Sequence, residues 1–418
     1  MSRRSISLST KPAFKKPARL ASLATALGIL ALAACSAPPD PGSFGTGTKS
    51  KVSGSDPTGT FGDGTTNNGT APDGTTSAAC VPNKANAEIP GNNCDDDADG
   101  TIDNAVTCDG TLAGDGSPED FARTMGICQT AAKNGYGLVS AKFTRGYGRV
   151  DLPKTQQHGV LSKFGNVLKP REGTQLGVLS TGYAQEFDGS PGANFGGDSN
   201  GVDWFNSQNN PGNGTAPPGY PKPADTCPIA SGVNDLIDLR LELKAPPNAT
   251  GIKFDFNFHS GEWPVFICSP FNDGFIAYLS AKGFNNGTPE NISFDSKNNP
   301  VSVNNGFFDR CTAGAQTGCD PRAKAGVSTC PGGPGELAGT GFGGTGQFCP
   351  GGGTSVSGGA TGWLSSQAPV TAGETFTLDL MIWDTGDGEL DSSVLLDNFQ
   401  WVGGKVVVTS TGRPTGPN

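Results

Sequence analysis

Histidine is nearly missing from this chain: there are two in 418 residues, His158 and His259. Any chemistry that needs an imidazole base has only those positions to draw on. The sequence has no G-x-S-x-G elbow, no H-E-x-x-H pair and no glycine-rich phosphate loop, which removes serine hydrolases, zinc peptidases and P-loop enzymes from consideration. None of the 11 cysteines falls in a C-x-x-C pair, so a zinc clip is not expected. Apolar residues are scarce as well, 34% of the chain with 8% aromatic. The core is therefore small for the length.

Glycine and proline supply what the apolar residues do not, 64 and 32 residues respectively. Short strands joined by long loops fit that balance, and a helical or α/β enzyme does not. The formal net charge is −10. Six basic residues (Arg3, Arg4, Lys11, Lys15, Lys16 and Arg19) precede Cys35, and without them 23 basic face 39 acidic residues. Such a surface repels nucleic acid and anionic lipid, and attracts cations.

Those early basic residues lead into an apolar run, LASLATALGILALAAC, starting at Leu20. It is shorter than the about 20 residues a spanning helix needs. Leu32-Ala33-Ala34-Cys35 is similar to a lipobox, and the resemblance makes residues 1–34 a bacterial lipoprotein signal peptide with Cys35 as the acylated first residue. Ser36 in the next position implies sorting to the outer membrane. Residues 35–79 carry Gly, Thr, Ser, Asp, Asn and Pro without an apolar period, and read as a flexible tether.

Setting Cys35 aside leaves an even set: Cys80, Cys94, Cys108, Cys128, Cys227, Cys268, Cys311, Cys319, Cys330 and Cys349. In an exported chain an even set reads as disulfides. Local pairing suggests Cys311 with Cys319, Cys330 with Cys349, and Cys94 with Cys108, although spacing alone does not fix connectivity.

Between residues 80 and 110 the sequence CDDDADGTID places Asp95, Asp97 and Asp99 at alternate positions with Gly100 and Asp103 behind. That is the opening of a calcium loop, but Val106 stands where an EF-hand has its bidentate Glu. The segment resembles the aspartate-rich metal-binding repeat of MopE-type bacterial surface proteins, with Ala98 where that repeat has cysteine. Two readings stay open, a calcium site and an acidic turn.

The main domain, 111–404, opens on PEDFARTMGICQTAA (118–132), whose Phe121, Met125 and Cys128 have helical spacing. Strand patterns follow. In Leu236–Leu243, Ile237, Leu239, Leu241 and Leu243 face inward and Asp238, Arg240 and Glu242 outward. Ile252, Phe254, Phe256 and Phe258 alternate with Lys253, Asp255, Asn257 and His259, which predicts one face in a core and one in water. Phe275–Leu279 has little alternation and reads as buried on both faces. Phe376, Leu378, Leu380 and Ile382 share a later face, residues 305–360 form a cysteine- and glycine-rich insertion, and 405–418 is a polar tail.

Two long phrases, FDFNFHSGEWPVFICSPFNDGF from Phe254 and GETFTLDLMIWDTGDGELDSSVLLDNF from Gly373, resemble the choice-of-anchor L domain, a bacterial surface domain attached by different anchors in different proteins. The resemblance implies an exported, mainly β, jelly-roll-like β-sandwich with long disulfide-stapled loops and one short helix. It carries no catalytic assignment.

Acidic residues gather in those phrases: Glu262, Asp273, Asp384, Asp387, Asp391 and Asp397. Asp273, Asp384, Asp387 and Asp391 form a candidate hard-cation site, against a reading as turn caps. Glu262 with Asp273 could serve a glycosidase. Trp204, Trp263 and Trp383 could stack on sugars, though core or strand packing is the favoured reading for each. The expected function is a lipid-anchored, non-catalytic module at the bacterial outer membrane that binds a surface glycan or protein, with calcium as the candidate cofactor and no nucleic-acid partner. The alternatives are a polysaccharide hydrolase and a structural envelope protein.

Overall fold

The computed structural model describes residues 80–104, 106–187, 214–343, 349, 358–404 and 407–414. The chain divides into two compact units, Met1–Val52 and Ser53–Asn418, and every described residue belongs to the second. The signal peptide, Cys35, the tether and Trp204 lie outside the described residues.

Fifteen strands are present among the described residues, in chain order β1 (Gly137–Thr144), β2 (His158–Leu161), β3 (Leu176–Ser180), β4 (Val233–Lys244), β5 (Ala249–Ser260), β6 (Gly274–Ser280), β7 (Glu290–Asn291), β8 (Val301–Ser302), β9 (Gln316–Thr317), β10 (Gly326–Val327), β11 (Gly359–Ala360), β12 (Leu364–Pro369), β13 (Thr375–Thr385), β14 (Ser392–Gly403) and β15 (Ser410–Gly412). They build two antiparallel sheets and a small ribbon. One sheet runs β1-β4-β13-β6-β7 with β8 also on β6. The other runs β15-β12-β5-β14-β3-β2 with β11 also on β5.

The two sheets face each other across the alternating positions. Phe254, Phe256 and Phe258 of β5 share one apolar core with Leu239 and Leu241 of β4, Phe275 of β6 and Leu378, Leu380 and Ile382 of β13. Each such side chain contributes about 1.5–3 kcal/mol by leaving water. β6 is buried on its second face too, where Ile276 and Tyr278 join Leu236, Met381 and Trp383 under Tyr220. This continuous apolar run needs both covers.

Four expectations are corrected. The helix over 118–132 is two, Pro118–Thr124 and Ala131–Asn134, because the chain turns at Gly126 with φ 85°. The polar tail is tied down over its described part, 407–414: Ser410–Gly412 pairs with β12, and Arg413 donates to Phe307 O at 2.9 Å and to Asp309 at 2.8 Å.

The third correction concerns β5, whose Asp255, Asn257 and His259 do not face water; all three are fully buried. The stretch that follows β2 and the cysteine-rich insertion lay Phe164, Leu168, Leu337 and Phe342 over that face. Asp255 survives there because Arg171 Nε donates to it at 3.2 Å and Asn398 Nδ2 at 2.8 Å. Finally, the disulfides pair Cys80–Cys94, Cys108–Cys128, Cys227–Cys268, Cys311–Cys330 and Cys319–Cys349. All ten expected cysteines are bonded, but 311, 319, 330 and 349 interleave, and Cys94 and Cys108 take separate partners. Interleaving cross-links the insertion that covers β5, where nearest-neighbour pairing would only have pinched two turns.

Candidate functional site

Among the connections that pass from one sheet to the other at one end of the sandwich, three carry the candidate acids or follow the strands beside them. They are 181–232 between β3 and β4, 261–273 between β5 and β6, and 386–391 between β13 and β14. Strand register puts them together. Ser392 at the head of β14 pairs with Ser260 at the end of β5, Ser393 pairs with Ser180 of β3, and Trp383 near the end of β13 pairs with Gly274 at the head of β6. Thr385 pairs with Val233 at the head of β4. Every crossover end carries acid: Asp235 on β4, Glu262 and Asp273 on the second crossover, and Asp384, Asp387 and Asp391 on or beside the third.

The crossovers are tied by polar contacts. Thr385 N and Ser392 Oγ each donate to Asp273, both at 2.9 Å, one to each carboxylate oxygen. Ser392 N donates to Thr181 Oγ1 at 2.9 Å, and Gly261 N to Asp391 O at 3.0 Å. Gly182 is glycine for a steric reason: a Cβ there would lie 2.0 Å from Asp391 Oδ2. Cys227–Cys268 bonds the first crossover to the second.

These carboxyls are sealed. Asp273 is 0% exposed, Asp384 1% and Glu262 2%. Burial holds the Asp273 carboxyl well above its ordinary range, at about 7, although the Thr385 and Ser392 donors pull it down. Burial lifts Asp384 well above its ordinary range, and the neighbouring charges of Asp273, Asp391 and Asp235 add to that. Glu262 rises through burial and through Asp273 and Asp387. Neither oxygen of Asp384 takes a backbone N–H, and Glu262 Oε2 and Asn272 Oδ1 accept no hydrogen bond. Asp387 is half-buried and stands at the outer lip, where Asn234 Nδ2 donates to its carbonyl at 2.6 Å.

The sequence-predicted set is thus brought together around Asp273 and Asp384, with Asp387 toward the rim. Asp397 is elsewhere, at the other end of the β5 face, where it accepts from Arg171 N at 2.6 Å. Asp235, Asn272 and Thr181 were missed. Asp235 was legible only as the acid that opens β4 behind Gly232, a position with φ 45°.

The residue 80–110 segment behaves differently. Asp99 Oδ1 accepts from Thr101 N at 2.8 Å, and Asp103 accepts from Asn92 N and Asn93 N, both at 3.1 Å. The first is a turn contact, and the others close the two ends of the loop on each other. Among the described residues one acidic trio brings an oxygen from each member within 4.8 Å of the others, and it is Glu88, Asp95 and Asp97. Glu88, which the motif does not include, takes the place expected of Asp99 and Asp103.

The remaining candidates lose their reactive form. Cys268 is oxidised, so no thiol stands near His259. His259 is pressed between Phe164 and Phe342, with ring centres 5.1 and 5.5 Å away, and burial pulls its pKa down to about 3. Trp263 and Trp383 are core residues, 1% and 2% exposed.

The choice-of-anchor L domain family matches residues 177–400, from β3 into β14. The chain belongs to that family. Membership makes it a surface-associated bacterial protein. The matched span holds both long phrases and all three crossovers, and it leaves out the acidic loop, β1, β2 and β15. No curated protein and no solved structure matches the chain. No described helix is long and apolar enough to cross a membrane.

Proposed function

We propose that this choice-of-anchor L protein is a lipid-tethered display module of the outer membrane that binds a surface glycan or protein and carries out no catalysis. The tether is the acylated Cys35 that the lipobox-like sequence implies. Five disulfides support an extracytoplasmic address, since such bonds persist in oxidising compartments. The observation that carries the non-catalytic part is the enclosure of the carboxyls. A glycosidase needs its acid and its base at the walls of an open cleft, yet Glu262 and Asp273 lie inside the sandwich end, 2% and 0% exposed. Polysaccharide cannot reach them without opening the crossovers.

A glycan array, with reducing-sugar release measured on the same polysaccharides, tests the reading. Saturable binding without sugar release is expected. Sugar release that disappears in Glu262→Gln would replace the module with a hydrolase, and an array and a surface-protein pull-down both without binding would leave a structural envelope role. Palmitate labelling in cells tests the tether, with label expected on the native chain and none on Cys35→Ser.

A further inference from the structure

The crossover end holds more buried acceptors than donors. Asp273 has its two oxygens satisfied by Thr385 N and Ser392 Oγ. Beside it Asp384 is 1% exposed, has the Thr181 hydroxyl and the Asp273 carboxyl as polar neighbours, and takes no backbone N–H on either oxygen. Asn272 Oδ1 and Glu262 Oε2, buried in the same crossover as Asp273, accept nothing. A buried acceptor left alone costs about 1–3 kcal/mol, and more when it is charged.

Among the described residues, acidic side chains dominate the charge around Asp384 and Glu262. The charged side chains that act on Asp384 are Asp273, Asp391 and Asp235, all acidic. Those acting on Glu262 are Asp273, Asp387, Asp320 and one cation, Arg322, whose guanidinium is already held by Asp320 at 2.8 Å. Two agents can fill such a place. A proton on Asp384 would serve one oxygen and one neighbour. A divalent cation on Asp384 would cancel its repulsion with Asp273.

The donor set is entirely oxygen: carboxylates, the Asn272 amide oxygen and hydroxyls, with no sulfur or imidazole. That chemistry selects a hard cation, and calcium tolerates the irregular, loop-built geometry that magnesium does not. We propose that the crossover end binds a calcium ion through Asp384, with Asp273 and the Asn272 amide oxygen beside it, and that the ion pins the 261–273 and 386–391 connections to one another. Binding at this site does not rest on the adhesive reading; a structural or a catalytic protein could use the same pin.

The test uses the whole mature domain at pH 7.5, in chelator and then in millimolar calcium. It is made on a background of Glu88→Gln, Asp95→Asn and Asp97→Asn, so that a cation on the exposed trio is not counted. Calcium is expected to raise the melting temperature of this background by several degrees and to give a binding isotherm of about one site. Asp384→Asn should weaken that affinity about tenfold or more. A melting temperature that ignores calcium on this background overturns the proposal. So does an Asp384→Asn variant that responds as the background does. If Asp384→Asn fails to fold, terbium luminescence excited through tryptophan replaces it. Trp383 adjoins Asp384 in the chain, so Trp383→Phe should lower the sensitised emission while all the oxygens remain. Emission unchanged in Trp383→Phe and abolished in the trio background would place the ion in the exposed loop and end the proposal.

Discussion

In the loop from Cys94 to Asp103, aspartate oxygens are spent on the backbone that carries them: Asp95 Oδ1 and Oδ2 accept from Asp99 N and Gly100 N, both at 3.0 Å, and Asp99 Oδ1 accepts from Thr101 N at 2.8 Å. At the crossovers, aspartates of the same chemistry come from three distant parts of the chain, and Asp384 takes no backbone N–H on either oxygen. The difference is one of contact order and water. A local turn supplies N–H groups two to five residues away and leaves its side chains partly wet. A crossover brings carboxyls together only after both sheets have formed, and then excludes the solvent that would have carried their charge. The first arrangement shapes a loop, and the second stores electrostatic repulsion in the core.

Each region carries a disulfide, and removing the two sharpens the contrast most. Cys227–Cys268 closes 41 residues and Cys80–Cys94 closes 14. On loop-closure entropy these contribute about 4 and about 3 kcal/mol. Urea titration of the two double serine variants should show the larger loss for 227/268, together with a weakened response to calcium. Equal losses and an unaltered calcium response would mean that the crossover staple is no more than a loop closure.

Asp273→Ala comes next. It strands the Thr385 N–H and the Ser392 hydroxyl, at about 1–3 kcal/mol each, and part of this is returned as repulsion from Asp387 is relieved. A net loss of about 2 kcal/mol is expected in chelator, and a stabilised variant would show that repulsion dominates there.

The same repulsion sets a pH dependence. Burial places Asp273 at about 7 and Asp397 at about 8, above the ordinary carboxylate range near 4. Between those limits the folded chain holds more protons than the unfolded one. In chelator this contribution is complete below about pH 4 and is lost as pH rises through 7 to 8. Denaturation midpoints across pH 4–8 should fall on the alkaline side, and Asp273→Asn should flatten the slope. Calcium, which binds the ionised form, should flatten it as well.

The sheets were readable from periodicity because both of their inner faces are regular: Phe254, Phe256 and Phe258 against Leu378, Leu380 and Ile382. The second face of β5 was not readable. Asp255, Asn257 and His259 look solvated until Phe164 and Phe342 arrive to cover them, 95 and 83 residues from His259 along the chain, and neither lies in a pattern that names its target. Cysteine pairing was hidden for the same reason, since Cys319 finds Cys349 only through the fold of the insertion. At the crossovers the acids of the two phrases were visible and their convergence followed from the family's two-sheet plan. Asp235 was invisible because it sits at the head of β4, 38 residues ahead of Asp273, in a strand whose alternation points to packing alone. The Asp loop misled in the other direction. Its 1-3-5 spacing selects Asp99 and Asp103, which serve the turn, while Glu88 joins Asp95 and Asp97 from seven residues upstream of Asp95.

The smallest effect belongs to Asp99→Asn. Asp99 accepts from Thr101 N and from Asn104 Nδ2, both at 2.8 Å. An amide oxygen keeps the first contact, and the second can be replaced by water because the loop is open to it. A loss of about 0.5 kcal/mol or less is expected, with no change in the calcium isotherm. A larger loss would mean that Asp99 bears on more than its own turn, and that the exposed loop shares the tertiary dependence of the crossovers. The contrast between a locally satisfied aspartate and a globally enclosed one would then fail at its weaker member, where Asn104 is the contact to examine.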